Sequence, residues 1–154
     1  MSRHDFKFSR TSENAGAYGE FKFVPLRWVQ RQLGRGHGGI YYCQIKYLKG
    51  QRLGRLATLR PDGTLQNNPV VFTFVAETDT FEIGDLNMGD SQKYKNVVAN
   101  GQVAFVVDDL DSVEPWKPRM IEVRGTAASV PNEDSRKSTI LIHPNRVISY
   151  GIEE

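Results

Sequence analysis

What most limits the folds open to this chain is a series of short apolar runs, rich in β-branched and aromatic residues, that begins near Gln51 and is punctuated by turn residues. Residues 52–60 and 64–76 flank Pro61, Asp62 and Gly63, and such turn chemistry between two apolar runs marks a hairpin. Residues 70–75 are apolar on both faces, which predicts a strand buried on both sides, and residues 102–109 read as a second continuously apolar strand. Farther on, Ile121, Val123 and Ala127 alternate with Glu122, Arg124 and Thr126, the pattern of a half-buried strand that the C-terminal residues 146–153 repeat. A strand over residues 80–86 and a helix over residues 90–99 complete the pattern. Six strands joined mostly by short turns, with one intervening helix, predict a mainly β protein: an antiparallel barrel rather than a doubly wound sheet. Closure, together with a dimer contact, would protect its long apolar strands from stray edge pairing.

The totals bound the rest. A chain of 154 residues fits one domain of common size. Twenty Lys and Arg against eighteen Asp and Glu leave a net charge of only +2, without the strong single-sign field of a nucleic-acid-binding protein. The single cysteine, Cys43, excludes an internal disulfide framework and reads as an inert buried thiol in a reducing cytoplasm. No apolar run approaches the length of a membrane span, so no membrane partner is expected. His4, His37 and His143 have no metal-ligand spacing, so no metal site is expected.

Residues 1–44 read as an N-terminal extension. Its first 20 residues are polar without a clear period, and Pro25 could open a helix whose Arg27, Arg31 and Arg35 share one solvated face. Gly34, Gly36 and Gly39 formally match a dinucleotide fingerprint, but they follow a helix-like stretch and lack the ribose-binding acid.

Three stretches of residues 45–154 could carry chemistry. In the helix of residues 90–99, Tyr94, Val97 and Val98 form the apolar face, and Asp90 is placed to cap the first turn. Lys93 and Lys95 then stand at the positive end of the helix dipole, a placement that runs against the dipole unless an anion offsets it. Asn67, Asn68 and Pro69 interrupt a β run, which predicts a bulge or break with amide groups free to meet a planar heterocycle. Residues 108–120 place four acids, Trp116 and Arg119 between two strands where a tight turn would suffice; Trp116, stiffened by Pro115 and Pro118, could stack on a ring or seal a dimer contact. No nucleophile or general-base device stands out, so no catalytic residue is assigned.

Taken together, residues 51–72, 83–97, 103–127 and 142–153 resemble the pyridoxamine-phosphate-oxidase-like split-barrel proteins, above all the actinobacterial branch that uses the deazaflavin coenzyme F420. The resemblance implies a six-stranded antiparallel split β-barrel of the FMN-binding type over residues 45–154. It further implies a homodimer with cofactor sites at the subunit interface. The cofactor ring would lie along Asn67, Asn68, Pro69 and Val70, and its phosphate would be held by Ser91 and Lys93, with Asn96 completing that motif. Asp85, Asn87 and Met88 would line the same pocket, and Trp116 and Arg119 would come from the partner subunit. The implied activity is hydride transfer between F420 and a small conjugated substrate. FMN is the alternative cofactor, with Arg52, Arg55 and Arg60 as candidates for holding the longer anionic tail of a deazaflavin, and a cofactor-binding protein without chemistry is the alternative function.

Overall fold

The computed structural model describes residue 40 and residues 42–152. The arginine stripe and the glycine-rich stretch before Ile40 lie outside the described residues. Six antiparallel strands close into a barrel: β1 (Leu53–Leu59), β2 (Leu65–Val75), β3 (Thr80–Ile83), β4 (Gln102–Ser112), β5 (Lys117–Val130) and β6 (Thr139–Tyr150), in the spatial order β1-β2-β3-β6-β5-β4. Among the described residues two α-helices accompany them: α1 (Tyr42–Gly50), which the sequence patterns did not reveal, and α2 (Gln92–Ala99). Helix α1 spans residue 45 and sets Tyr47 and Leu48 into the core.

The core is the inward row of each strand, as the two-residue period of a pleated strand requires. Phe72, Phe81 and Phe105 stack with ring centroids 5.2–6.0 Å apart, and Leu56, Ile83, Val107, Ile121, Val123, Ile140 and Ile142 surround them. Gly54 lies where any side chain would collide with the ring of Phe105, so a small residue here lets β1 close over the aromatic cluster.

Several expectations need correction. Residues 70–75 are buried on one face only, because Val71 and Thr73 point outward while Val70 and Phe72 point in. Residues 102–109 likewise alternate, with Val103, Phe105 and Val107 inward. No bulge interrupts Asn67–Pro69. Strand β2 pairs without a break with β1, Asn67 opposite Ala57, Asn68 opposite Leu56 and Pro69 opposite Arg55. Strand β3 reaches β2 only at residues 72–75, so among the described residues no strand pairs with the second edge of residues 65–71, where the missing proline N–H costs the sheet little. Residues 108–120 form no long loop either; β4 and β5 extend through them as a hairpin closed by residues 113–116.

Candidate functional site

The expected site residues fall into two clusters. The first surrounds the start of α2. Met88–Asp90 form a turn of 3-10 helix, and the α-helix starts only at Gln92, capped by Ser91 rather than by Asp90: the Ser91 hydroxyl accepts the Tyr94 N–H at 3.3 Å. That hydroxyl's own proton is left to the thioether of Met88, 3.6 Å away and a weak acceptor, so a stronger acceptor could claim it. Lys93 does not reach into bulk solvent. Its side chain is only 13 % exposed, and Nζ donates at 2.9 Å to Asp85, whose side chain is 50 % exposed. Asp85 is therefore the anion that offsets this lysine at the helix start. The hydrogen bond from Lys93 and a second from the Leu86 amide hold the Asp85 carboxyl below the usual carboxylate range.

Asn96 lies fully buried where the apolar pattern placed Val98, which is exposed. Its amide donates to Thr58 Oγ1 and Gln66 Oε1, both at 3.0 Å, and its oxygen accepts from Gln92 at 2.8 Å. A buried primary amide is tolerated because each side of it is partnered. The network ties α2 to β1 and to the start of β2, and so sets Ser91, Lys93 and the edge carrying Asn67 in one rigid relation.

Not every expected residue opens onto this region. Val70 and Met88 are core residues, turned inward by the strand alternation and by the short helix, so only their backbones could reach a ligand. Neighbours in a strand point to opposite faces, so Asn67 and Pro69 are exposed outward while Asn68 turns toward the interior and is half-buried. Asn87 is exposed just before the short helix. Of the candidate tail-binding arginines, Arg55 pairs with Asp108 and Arg60 with Asp62. Sequence reading missed the basic residues that do adjoin Asp85: Lys137 and Arg136 (the latter paired with Asp134), which share with Gly84–Leu86 a depression of about 470 Å³. Their segment is held there by close packing, since a side chain on Gly89 would meet the Ser135 carbonyl at 2.7 Å. No spacing in the sequence connects positions 85 and 136.

The second cluster closes one mouth of the barrel. Past the apolar pairs Phe105–Val123 and Val107–Ile121, the inward row continues as Asp109 directly opposite Arg119. Arg119 makes paired hydrogen bonds of 2.9 and 2.7 Å to Asp109, a third of 2.7 Å to Asp111, and stands 5.3 Å from the centre of the Tyr47 ring. Gln51 donates to Asp109 at 2.6 Å and the Tyr47 hydroxyl donates to the same carboxylate at 3.3 Å. Hydrogen bonding from Arg119 holds Asp109 below the usual range, and burial followed by the Asp109 charge pushes Tyr47 well above the ordinary phenol value. Trp116, 60 % exposed, stands at the rim of a cavity of about 760 Å³ beside this layer. Cys43 lines the same cavity and is half-buried, not buried. Within one protomer, then, Trp116 and Arg119 line a cavity that Ser91 and Lys93 do not.

The closed six-stranded barrel, in this strand order and with a capped helix after β3, is a split barrel. Residues 44–143 match the pyridoxamine 5'-phosphate oxidase family, and the chain belongs to it. A 5a,11a-dehydrotetracycline/5a,11a-dehydrooxytetracycline reductase of Streptomyces rimosus is 40 % identical over 116 residues, which cover 71 % of this chain and 82 % of that protein. Among solved structures, an F420 reductase superposes with a TM-score of 0.53 at 27 % identity, covering 66 % of this chain and 93 % of that one. A conserved hypothetical protein from Mycobacterium tuberculosis superposes with a TM-score of 0.60 at 17 % identity, covering 77 % of this chain and 89 % of its own, a likeness of fold alone.

Proposed function

We propose that this protein is an oxidoreductase that transfers a hydride between the deazaflavin coenzyme F420 and a small conjugated organic substrate. The observation that carries the reading is the ion pair Lys93–Asp85 at the capped start of α2: a shielded cation with a single, half-exposed carboxylate partner. A phosphate oxygen can replace a solvent-facing carboxylate on such a lysine, and the Ser91 hydroxyl has a proton to offer it. These residues fit the phosphate of a flavin-type cofactor. In the adjoining depression Arg136 is held by Asp134 at 2.9 Å, while Lys137 pairs with no carboxylate among the described residues and is the cation there that suits a further negative group beyond the first phosphate. The edge of β2 at residues 65–71, which no strand among the described residues pairs with, offers backbone groups to a flat ring, with Asn67 beside it.

Hydride chemistry belongs to the cofactor, so the protein's part is to hold and orient, in keeping with the absence of an assigned acid or nucleophile. The reductase of Streptomyces rimosus and the F420 reductase both support this class of reaction.

We further infer a homodimer. Across the outer face of the barrel, Leu53 sits opposite Val71, and both are exposed; the adjoining row carries Pro69, Arg55, Val106, Glu122 and Ile148. Apolar residues interleaved with the ion pairs Arg55–Asp108 and Arg124–Glu122 suit a partner of the same kind. In that dimer the Trp116 hairpin of one protomer would approach the β2 edge of the other.

The decisive experiment is a titration of the purified protein with F420 and with FMN, followed by light scattering for molecular mass. Saturable F420 binding to a dimer is expected. Tight FMN binding without F420 binding would replace the cofactor assignment, and uptake of F420 without turnover of any enone or quinone would leave a carrier.

A further inference from the structure

We propose that the mouth of the barrel, between α1 and the β4–β5 hairpin, is the binding site for a flat, fused-ring substrate bearing acidic enol or phenol oxygens. The proposal rests on the oxidoreductase reading for its chemistry and on the inferred homodimer, which would bring this mouth to the β2 edge of the partner; it names where and how the substrate is held.

Three observations carry it. The cavity here measures about 760 Å³, within the size range of small-molecule pockets and well above the depression beside Asp85. Its walls are aromatic: Tyr42 from α1, 83 % exposed, Trp116 from the hairpin and Tyr150 from the end of β6 line one hollow. Single exposed aromatics are ordinary, but three converging on one cavity make a surface that planar rings fit.

The polar groups sort themselves by depth. At the floor, Asp109, Arg119, Tyr47 and Gln51 satisfy one another, and no buried side-chain polar atom among the described residues lacks a partner. The floor therefore asks nothing of a ligand but contact. At the rim, Lys46 and Lys117 face the same cavity, and among the described residues neither pairs with a carboxylate. Three cations (Lys46, Lys117, Arg119) against two carboxylates (Asp109, Asp111) leave the lining with one net positive charge. Aromatic walls, a saturated floor and free ammonium groups at the rim select a planar apolar body whose edge carries ionised oxygens. Monocyclic enones would fill little of the volume and reach few of the walls.

The test uses tetracycline, a fluorescent fused-ring compound with ionisable enol oxygens, titrated into the cofactor-free full chain, with cyclohexenone as the small control. Saturable tetracycline binding is expected, with the dissociation constant rising about tenfold in Tyr42→Ala, the scale of one lost aromatic contact. A rise of several-fold is expected in Lys46→Ala. Both side chains lie on exposed parts of α1, so the variants keep the fold. Cyclohexenone binding is expected to be weak and unmoved by either change. Absent tetracycline binding, or an affinity indifferent to both substitutions, overturns the proposal. The parallel F420 titration separates the two readings: tetracycline binding that depends on Tyr42 in a protein that ignores F420 keeps this site and removes the proposed function. F420 binding with tetracycline indifferent to Tyr42 and Lys46 does the reverse.

Discussion

Two cations, Lys93 at the start of α2 and Arg119 at the barrel mouth, are each matched to aspartate, yet the matches differ in kind. Lys93 has one partner, Asp85, and that partner is half in water. Arg119 is held by Asp109 through two hydrogen bonds and by Asp111 through a third, with an aromatic ring against it. The first arrangement can be exchanged at small cost; the second is over-determined and serves as part of the wall. Charge type alone does not say which cation meets a ligand. The number and exposure of its partners do.

The comparison can be tested through the supports of each region. The largest effect is expected from Asn96→Ala, which strips Thr58, Gln66 and Gln92 of a common partner inside the protein. A loss of about 2–3 kcal/mol in urea-denaturation stability is expected, and an unchanged midpoint would mean α2 is not anchored to β2 through this amide. Next comes Asp109→Ala, which leaves Arg119, Gln51 and Tyr47 without their shared acceptor; about 1–3 kcal/mol of stability is expected to go, read in the same way. Lys93→Ala is expected to behave oppositely, sparing stability while weakening F420 binding by about 1–3 kcal/mol in an equilibrium titration. Equal stability losses at Lys93 and Asp109 would erase the distinction drawn above.

Sequence patterns disclosed the barrel more fully than the site, and for a physical reason. Turn residues at 61–63 and alternation at 121–127 are local signals, and they foretold strand number and antiparallel order. Which face a residue takes is set by register: a run such as residues 70–75 looks buried on both sides until its pairing with β1 turns Val71 outward. Helix α1 was hidden because its polar and aromatic residues show little apolar period. Its core contacts through Tyr47 and Leu48 depend on a mouth built from residues more than fifty positions away. At the site, Ser91 and Lys93 could be named from the helix start, but the Asp85 partner, the Asn96 network and the neighbouring Arg136 and Lys137 arise only when separate segments meet.

Smaller effects would sharpen the contrast. Asp85→Asn frees Lys93 from its competitor, and a rise of a few-fold in affinity for F420 or inorganic phosphate is expected, about 0.5–1 kcal/mol, with stability nearly unchanged. Smallest is the dependence on pH. The Asp109 carboxyl is held below its unfolded value, so its contribution is complete above the ordinary carboxylate range near about 4 and is lost as pH falls through the lower, folded value. The wild-type Tm is therefore expected to decline at acid pH, and Asp109→Asn to decline less steeply. An equally steep decline in both would assign the acid sensitivity to other carboxylates.

The side of β2 that no described strand covers has a consequence for solubility. Naked strand margins recruit foreign strands and seed fibrous stacks, the more so when Leu65 and Val71 lie along them. Pro69 sits midway, lacking the hydrogen that a continuous run of cross-chain bonds would demand. The same imide that spares the native sheet any loss thus acts as a sentinel, letting a short, well-fitted guest settle on the margin while denying an unbroken foothold to a misplaced copy of the chain.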